Sequence, residues 1–361
     1  MIKPAHLKQG DQIAVVSLSS GILGEPFCAH QVARGVKRLK DMGLNPVFMK
    51  HALKGLDFVQ SHPELRAQDL KDAFLDPNIK GILCAIGGDE TYKLLPYLMD
   101  DEVFIETVKK SPKIFLGFSD TTNNHLMFYK LGLTTYYGLN FLSDVAELDK
   151  EMMPYTKEAF LKLFINEPKT KILPSPIWYE ERRDFSVQAM DTPRISHTET
   201  KGYEVLYGKG IVSGKLLGGC LESLYDGYTG NRYPEQKDIY ERYQLMPQKE
   251  DWKDKILFIE TSEEKPSPEL YLNYLQELER QGVFEGIRGM IVGKPQNEVH
   301  YDAYKNILIQ YGKQYQIPIF YNLNVGHAVP RTMIPYGLMG TIDCEEKTFS
   351  IDETMFDKGE I

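Results

Sequence analysis

The sequence predicts an α/β protein in two parts. A parallel-sheet domain of the Rossmann/flavodoxin-like kind spans residues 1–166, and a smaller, more β-rich α/β domain spans 205–361, with a linker of irregular loops over 167–204 between them. Three observations predict this. Short apolar runs alternate with helix-like segments through the first half, joined by short connections, as in a parallel layer structure. The composition then shifts: Pro168, Pro174, Pro176 and Pro193 and the charge run from Glu180 to Asp184 break any periodicity. From Val205 onward, runs of strand-forming residues return.

Taken in order, Ile13 to Leu18 reads as the first strand, with Ser19, Ser20 and Gly21 as the loop at its carboxyl end. A helix from His30 to Met42 stops at Gly43, and Asn45 to Met49 follows as a strand. Ser61 to Asp76 has near-helical spacing of Leu65, Leu70, Ala73 and Phe74. Gly81 to Ile86 is a third strand ending in Gly87, Gly88 and Asp89, where Asp89 can cap the helix that carries Leu94, Leu95 and Leu98. A Gly-Gly turn before a helix can bind an anion or donate to an oxyanion, since its N–H groups point outward. It can also be no more than a tight turn.

The stretch Lys113-Ile-Phe-Leu-Gly-Phe-Ser-Asp-Thr-Thr122 organises the first half. Ile114, Phe115 and Leu116 suit a strand buried on both faces, and Asp120 to Thr122 suit the first turn of a helix that ends at Gly132. Ser119 therefore sits at the strand-to-helix turn. Gly117-Phe-Ser-Asp-Thr121 keeps the first glycine of the nucleophile elbow G-x-S-x-G and has Thr in place of the second. The alternative is a serine N-cap on an ordinary βα turn.

Beyond the linker, in which Trp178 is either a staple or a stacking platform, Val205 to Leu217 leads to a second Gly-Gly turn at Gly218-Gly219-Cys220 before a helix. The tyrosine-rich stretch from Tyr225 to Trp252 has no period and reads as an insertion. Lys255 to Glu260 is a strand with a carboxylate at its end, Glu269 to Gln281 a helix, and Gly289 to Gly293 another buried strand. Ile317 to Asn322 runs into the loop holding His327, and Met333 to Phe349 reads as a β-ribbon.

Composition narrows the classes. The chain has 361 residues, 42% hydrophobic and 26% charged, as expected of a folded soluble protein. A net charge of −9 without a dense Lys/Arg cluster argues against nucleic-acid binding. The four cysteines, Cys28, Cys84, Cys220 and Cys344, form no metal or disulfide pattern and read as buried hydrophobes in a reducing compartment. No apolar run reaches the length of a membrane span, so a cytoplasmic protein without membrane partners is expected. G-x-G-x-x-G is absent, which disfavours a dinucleotide site.

Ser119, Glu260 and His327 thus stand at predicted strand ends or in the loops after them. A serine hydroxyl needs an imidazole to take its proton, and the imidazole needs a carboxylate to fix its tautomer and stabilise its charged form. Each residue also has a structural reading: Glu260 could cap a helix, and His327 could be satisfied by backbone.

The segments Ala85-Ile-Gly-Gly-Asp89, Gly117-Phe-Ser-Asp-Thr121, Gly218-Gly219, Leu257-Phe-Ile-Glu-Thr-Ser-Glu-Glu264 and Gly326-His327 through Pro330 together resemble the LD-carboxypeptidase family of serine peptidases. Gly-Gly-Asp in the first motif and the Glu-Thr-Ser-Glu-Glu stretch resemble the microcin C self-immunity branch more than murein-recycling enzymes. The resemblance implies a Ser119 nucleophile, a His327 base oriented by Glu260, and an oxyanion hole from the backbone N–H of Gly88 and Asp120, with the site at the domain interface. It also implies no metal, no cofactor and a homodimer. Gly87, Asp89, Trp178 and Cys220 are the candidate substrate contacts, and many relatives have Asn where this chain has Cys220.

The expected activity is hydrolysis of an amide near a free carboxylate, in a peptidyl-nucleotide of the aspartyl-adenylate type or in a murein tetrapeptide. A cleft protein that binds a small peptide or nucleotide without chemistry is the non-enzymatic alternative. A two-carboxylate glycosidase has only generic acidic pairs such as Glu263-Glu264 behind it.

Overall fold

The computed structural model describes residues 1–357, which fall into two compact units. Of the described residues, the first comprises Met1–Asn166, Arg182–Arg194 and 356–357; the second comprises Glu167–Glu181 and Ile195–Met355.

Five strands of the first unit are β1 (Gln12–Val16), β2 (Asn45–Phe48), β3 (Ile79–Cys84), β4 (Ile114–Gly117) and β5 (Tyr136–Tyr137). They lie in the order β2-β1-β3-β4-β5, and every pairing is parallel. This is the flavodoxin-like order. Its topological switch point falls between β1 and β3, where connections leave in opposite directions and open a crevice at the carboxyl ends. Ile13 to Val16, Ile82 to Cys84 and Ile114 to Leu116 are inaccessible to solvent, as continuous apolar strands covered on both faces must be. Each large aliphatic or aromatic side chain among them contributes roughly 1.5–3 kcal/mol by its burial.

The helices of this unit follow the sequence with two differences. Pro63 opens the helix Pro63–Leu75, so the segment expected from Ser61 is divided there from the short helix Leu56–Ser61. After Gly88 the expected helix is only a 3-10 turn, Thr91–Leu94, followed by Leu95–Met99. Pro96 has no N–H to continue a helix from Tyr92, so the segment breaks. Asp89 does not cap it: Glu90 holds the N-cap position and no side-chain cap bond forms. A helix the sequence reading passes over, Glu102–Lys110, is capped by the Asp101 carboxylate accepting from Phe104 N–H.

The excursion Arg182–Arg194 is held in this unit by a buried carboxylate, and by the more exposed pair of Arg34 with Asp191 at 2.6 Å. Glu147 Oε1 accepts from Arg182 at 2.7 Å, and Oε2 accepts from Arg194 Nε at 2.7 Å.

The second unit is built on a mixed sheet. Its strands are β6 (Thr170–Ile172), β7 (Ile177–Tyr179), β8 (Ser196–Thr198), β9 (Glu204–Tyr207), β10 (Ile211–Cys220), β11 (Lys255–Glu260), β12 (Gly289–Gly293), β13 (Ile319–Leu323) and the ribbon Met339–Asp343 with Thr348–Ile351. β10, β11, β12 and β13 form a parallel centre. The ribbon and β6 extend it antiparallel beyond β10, and β9 closes the other edge. β7 and β8 form a separate antiparallel pair, so residues 167–204 contribute strands as well as loops.

Two expectations are corrected here. Gly218 and Gly219 are not a turn but the end of β10, paired with Phe258 and Ile259 of β11. The strands pass so closely that a Cβ on Gly218 would sit 1.7 Å from the Phe258 carbonyl oxygen. The stretch from Tyr225 to Trp252 is largely helical, Leu221–Thr229 and Pro234–Tyr243, with a 3-10 turn at Lys249–Trp252. Its aromatic residues pack inward at Tyr240 and Trp252, which hides a helical period. The helix Tyr301–Tyr315 is likewise absent from the sequence reading.

All four cysteines are buried and none is in a disulfide. Among the described residues no helix is long and apolar enough to cross a membrane.

Candidate active site

In the first unit the loops after β1, β3 and β4 meet through hydrogen bonds. Ser119 follows β4 by one extended residue and has φ 69, in the left-handed region that a non-glycine residue enters only at a cost. Strain of this kind is what a nucleophile elbow stores. Phe118, not Ser119, holds the N-cap position of the 3-10 turn Ser119–Thr121, and no side-chain cap bond is made. The turn is fixed instead by the Ser119 N–H donating to Tyr137 Oη at 3.1 Å and by Thr122 Oγ1 donating to the Ser119 carbonyl at 2.7 Å.

Gly87 runs against this serine. A Cβ on it would lie 2.8 Å from Ser119 Cβ and 3.1 Å from Oγ, so only glycine fits beside the hydroxyl. Gly88 and Asp89 follow at the surface. Asp120 is buried. Its Oδ2 accepts from Ser19 Oγ at 2.7 Å and from Thr91 N–H at 3.2 Å, which ties all three loops together. Burial pushes its carboxyl up to about 6, against the opposing hydrogen bonds from Ser19 and Thr91.

In the second unit Glu260 ends β11 with its side chain 1% exposed. Its Oε2 accepts twice from one residue, from His327 Nδ1 at 2.8 Å and from the His327 backbone N–H at 3.0 Å. That pairing sets the ring orientation and makes Nδ1 the donor nitrogen. The approach requires Gly326, whose φ is +83 and whose Cβ, if present, would lie 2.1 Å from Glu260 Oε2. From the other side, the His327 carbonyl accepts from Arg331 at 3.2 Å and Gln296 at 3.4 Å. His327 Nε2 lies 3.0 Å from Glu263 Oε2. Burial alone would lower the pKa of His327, but Glu260 and Glu263 together push it up to about 10.

Cys220 stands directly beside Glu260 in the β10–β11 register. It is 2% exposed and donates from Sγ to Glu222 Oε2 at 3.3 Å. Burial, then Glu222 and Glu260, push its thiol well up, so it stays protonated and is no nucleophile. Trp178 lies on β7 with its ring stacked on His197 at 4.2 Å, and the Lys294 ammonium is 5.1 Å from the ring centre. Its neighbour Tyr179 bridges to Val329, two residues beyond His327, with Tyr179 N–H donating to the Val329 carbonyl at 2.8 Å. Among the described residues, no group of three or more His, Cys, Asp or Glu could hold a metal ion.

The chain matches the LD-carboxypeptidase N-terminal domain over residues 13–138 and the LD-carboxypeptidase C-terminal domain over 213–342. It belongs to the LD-carboxypeptidase family. As such it is a serine peptidase-type hydrolase of peptide amides. Its fold is similar to that of an MccF-like protein from Streptococcus pneumoniae solved in complex with AMP, at 50% identity and a TM-score of 0.90, covering 97% of this chain and 100% of that one. The microcin C7 self-immunity protein MccF of Escherichia coli is 29% identical over 361 residues, 97% of this chain and 95% of that protein. MccF in complex with aspartyl sulfamoyl adenosine superposes with a TM-score of 0.83 at 26% identity, covering 99% of this chain and 100% of that one.

For an LD-carboxypeptidase family member, two carboxylates here escaped the sequence reading as parts of the site. Glu222, in the first turn of Leu221–Thr229, is 8% exposed and is pushed up to about 6 by burial and by Glu260. The signal was an acidic residue directly after an apolar strand and Gly-Gly-Cys-Leu. Glu263 was visible only as half of a generic acidic pair, because nothing in its neighbours shows which of the two turns inward.

Proposed function

We propose that this chain hydrolyses the amide of a small aminoacyl- or peptidyl-nucleotide, with Ser119 as nucleophile, His327 as general base and Glu260 as the group that orients it. The observation that carries this reading is the double anchoring of His327 by Glu260, which commits Nδ1 to that carboxylate and makes Nε2 the nitrogen a serine proton would reach once Glu263 gives it up. In the first step Ser119 Oγ attacks the carbonyl carbon and its proton passes to Nε2; the backbone N–H groups of Gly88 and Asp120 receive the oxyanion. The imidazolium then returns the proton to the leaving nitrogen, and water releases the acyl group by the same path in reverse. The strained φ of Ser119 and the close approach of Gly87 support the nucleophile role.

The nucleotide part rests on relatives solved with AMP and with aspartyl sulfamoyl adenosine. It also rests on Trp178, a half-buried indole on a strand bonded to the loop after His327. A base stacked on it would gain roughly 1–3 kcal/mol. The test is incubation with an aspartyl-adenosine amide and, separately, a murein tetrapeptide, with release followed by mass spectrometry. Cleavage of the first, lost in Ser119→Ala, is the expected result. Cleavage of the tetrapeptide alone would replace the substrate assignment, and an active Ser119→Ala would end the serine mechanism. Trp178→Ala should raise KM for the nucleotide substrate with kcat little changed.

A further inference from the structure

We propose that Glu263 belongs to the catalytic assembly as a displaceable blocker: its carboxylate occupies the nitrogen of His327 that must accept the serine proton, and must leave it before the imidazole can act as a base. The second half of this statement rests on the hydrolytic reading above; the contact itself does not.

The geometry is that of an imidazole held at both ends. Nδ1 is 2.8 Å from Glu260 Oε2 and Nε2 is 3.0 Å from Glu263 Oε2. An ionised carboxylate is an acceptor only, so both ring nitrogens must carry protons. A doubly protonated imidazole has no lone pair to offer a hydroxyl. The raised pKa of His327, against the downward pull of its burial, agrees with this.

The two carboxylates are not equivalent. Glu260 has a side chain 1% exposed and is bonded to His327 at two points, whereas the Glu263 side chain is 59% exposed and can swing into solvent. The backbone beneath it is fixed. Ser262 N–H and Oγ both donate to Glu222, the Glu264 N–H donates to Ser262 Oγ, and Lys265 N–H donates to the Ser262 carbonyl. Movement is therefore confined to the Glu263 side chain, and a second cation is within electrostatic reach in Arg232, which also pairs with Glu264. The charged groups facing the pair are Glu260 from β11, Arg331 at the His327 carbonyl, Arg232 on the turn side, and Glu222 behind Glu260.

The test uses the substrate-free full chain. Imidazole signals are followed by NMR against pH in the unsubstituted protein, Glu263→Gln and Glu263→Ala, with His327→Gln to assign the resonance among eight histidines. The proposal expects the His327 titration to fall by at least about one pH unit in Glu263→Ala, the size of a lost opposite charge. The acid limb of kcat/KM should move down with it, so that kcat/KM near pH 6 rises about tenfold. An unmoved titration in both variants would overturn the contact. A titration that shifts while kcat/KM falls tenfold at every pH would overturn the blocking role. If no amide is cleaved even by the unsubstituted protein, the titration shift still supports the contact, and it is the hydrolytic reading that fails.

Discussion

Glu222 holds Ser262 at two points: one carboxylate oxygen accepts from both its backbone N–H and its hydroxyl, each at 2.8 Å. The turn that follows the strand of Glu260 is thereby pinned from below. Glu222→Ala leaves two buried donors without a partner, each worth roughly 1–3 kcal/mol. Urea unfolding should show a loss of about 2–4 kcal/mol, and Glu222→Gln, which keeps the accepting oxygen, a much smaller one. Equal losses in the two variants would mean that packing rather than hydrogen bonding holds the turn.

Asp120 makes folding stability pH-dependent in a definite direction. Its folded-state pKa, about 6, lies above the ordinary 3.8, so between these values the folded chain binds more protons than the unfolded one. Its contribution to stability is therefore fullest below pH 4 and declines as pH rises through 6. Asp120→Asn keeps an acceptor for Ser19 and removes the titration. Its Tm relative to the unsubstituted protein should be more favourable at pH 7.5 than at pH 5, and a constant difference would rule out this origin.

Glu147 is the buried anchor between the excursion Arg182–Arg194 and the body of the first unit, with side chains of Glu147, Arg182 and Arg194 exposed by 1%, 7% and 7%. Burial would raise its pKa, but the two guanidinium groups overcome this and hold it below the usual carboxylate range. Its stabilisation is present above the ordinary pKa and lost as pH falls below it. Glu147→Ala strands two buried cations and should cost about 3–5 kcal/mol. Trypsin should then nick the chain between residues 182 and 194, and a cleavage rate unchanged from the parent would refute the clamp.

The Glu260 carboxylate holds His327 at two points; under the proposed mechanism Glu260→Gln should keep the fold and lower kcat by about 10⁴-fold, the scale seen when a triad carboxylate becomes an amide. Stopped hydrolysis assays with the aspartyl-adenosine amide measure this. A loss below tenfold would remove Glu260 from the mechanism.

The cysteines should be silent in the folded chain. Each is buried, and burial pushes every one of the four thiols up. Ellman's reagent should titrate none promptly at pH 8 and all four in denaturant. Rapid reaction at Cys220 would contradict its placement beside Glu222.

Much of this was legible in the sequence where local chemistry decides it. Ile114 to Leu116 and Lys255 to Glu260 declare themselves as strands by apolar continuity, and Gly132 and Gly282 mark helix ends. What escaped depends on partners distant in the chain. Gly218 and Gly219 look like a turn unless β11 is known to run alongside, and the helix Pro234–Tyr243 buries Tyr240, a residue that can as well face solvent. The proposed site divides in the same way. Ser119, Glu260 and His327 carry residue types that chemistry demands, whereas Glu263 and Glu222 matter only through the company they keep.

Gly326 bears on how this chain can vary. The space a methyl group would need at that position is filled by the oxygen of Glu260 that grips His327, 2.1 Å from where the new carbon would land. That oxygen cannot step aside without releasing both of its bonds to the histidine. Any side chain at position 326 therefore has to displace the Glu260 carboxylate, so the histidine's anchor and the glycine beside it can change only together.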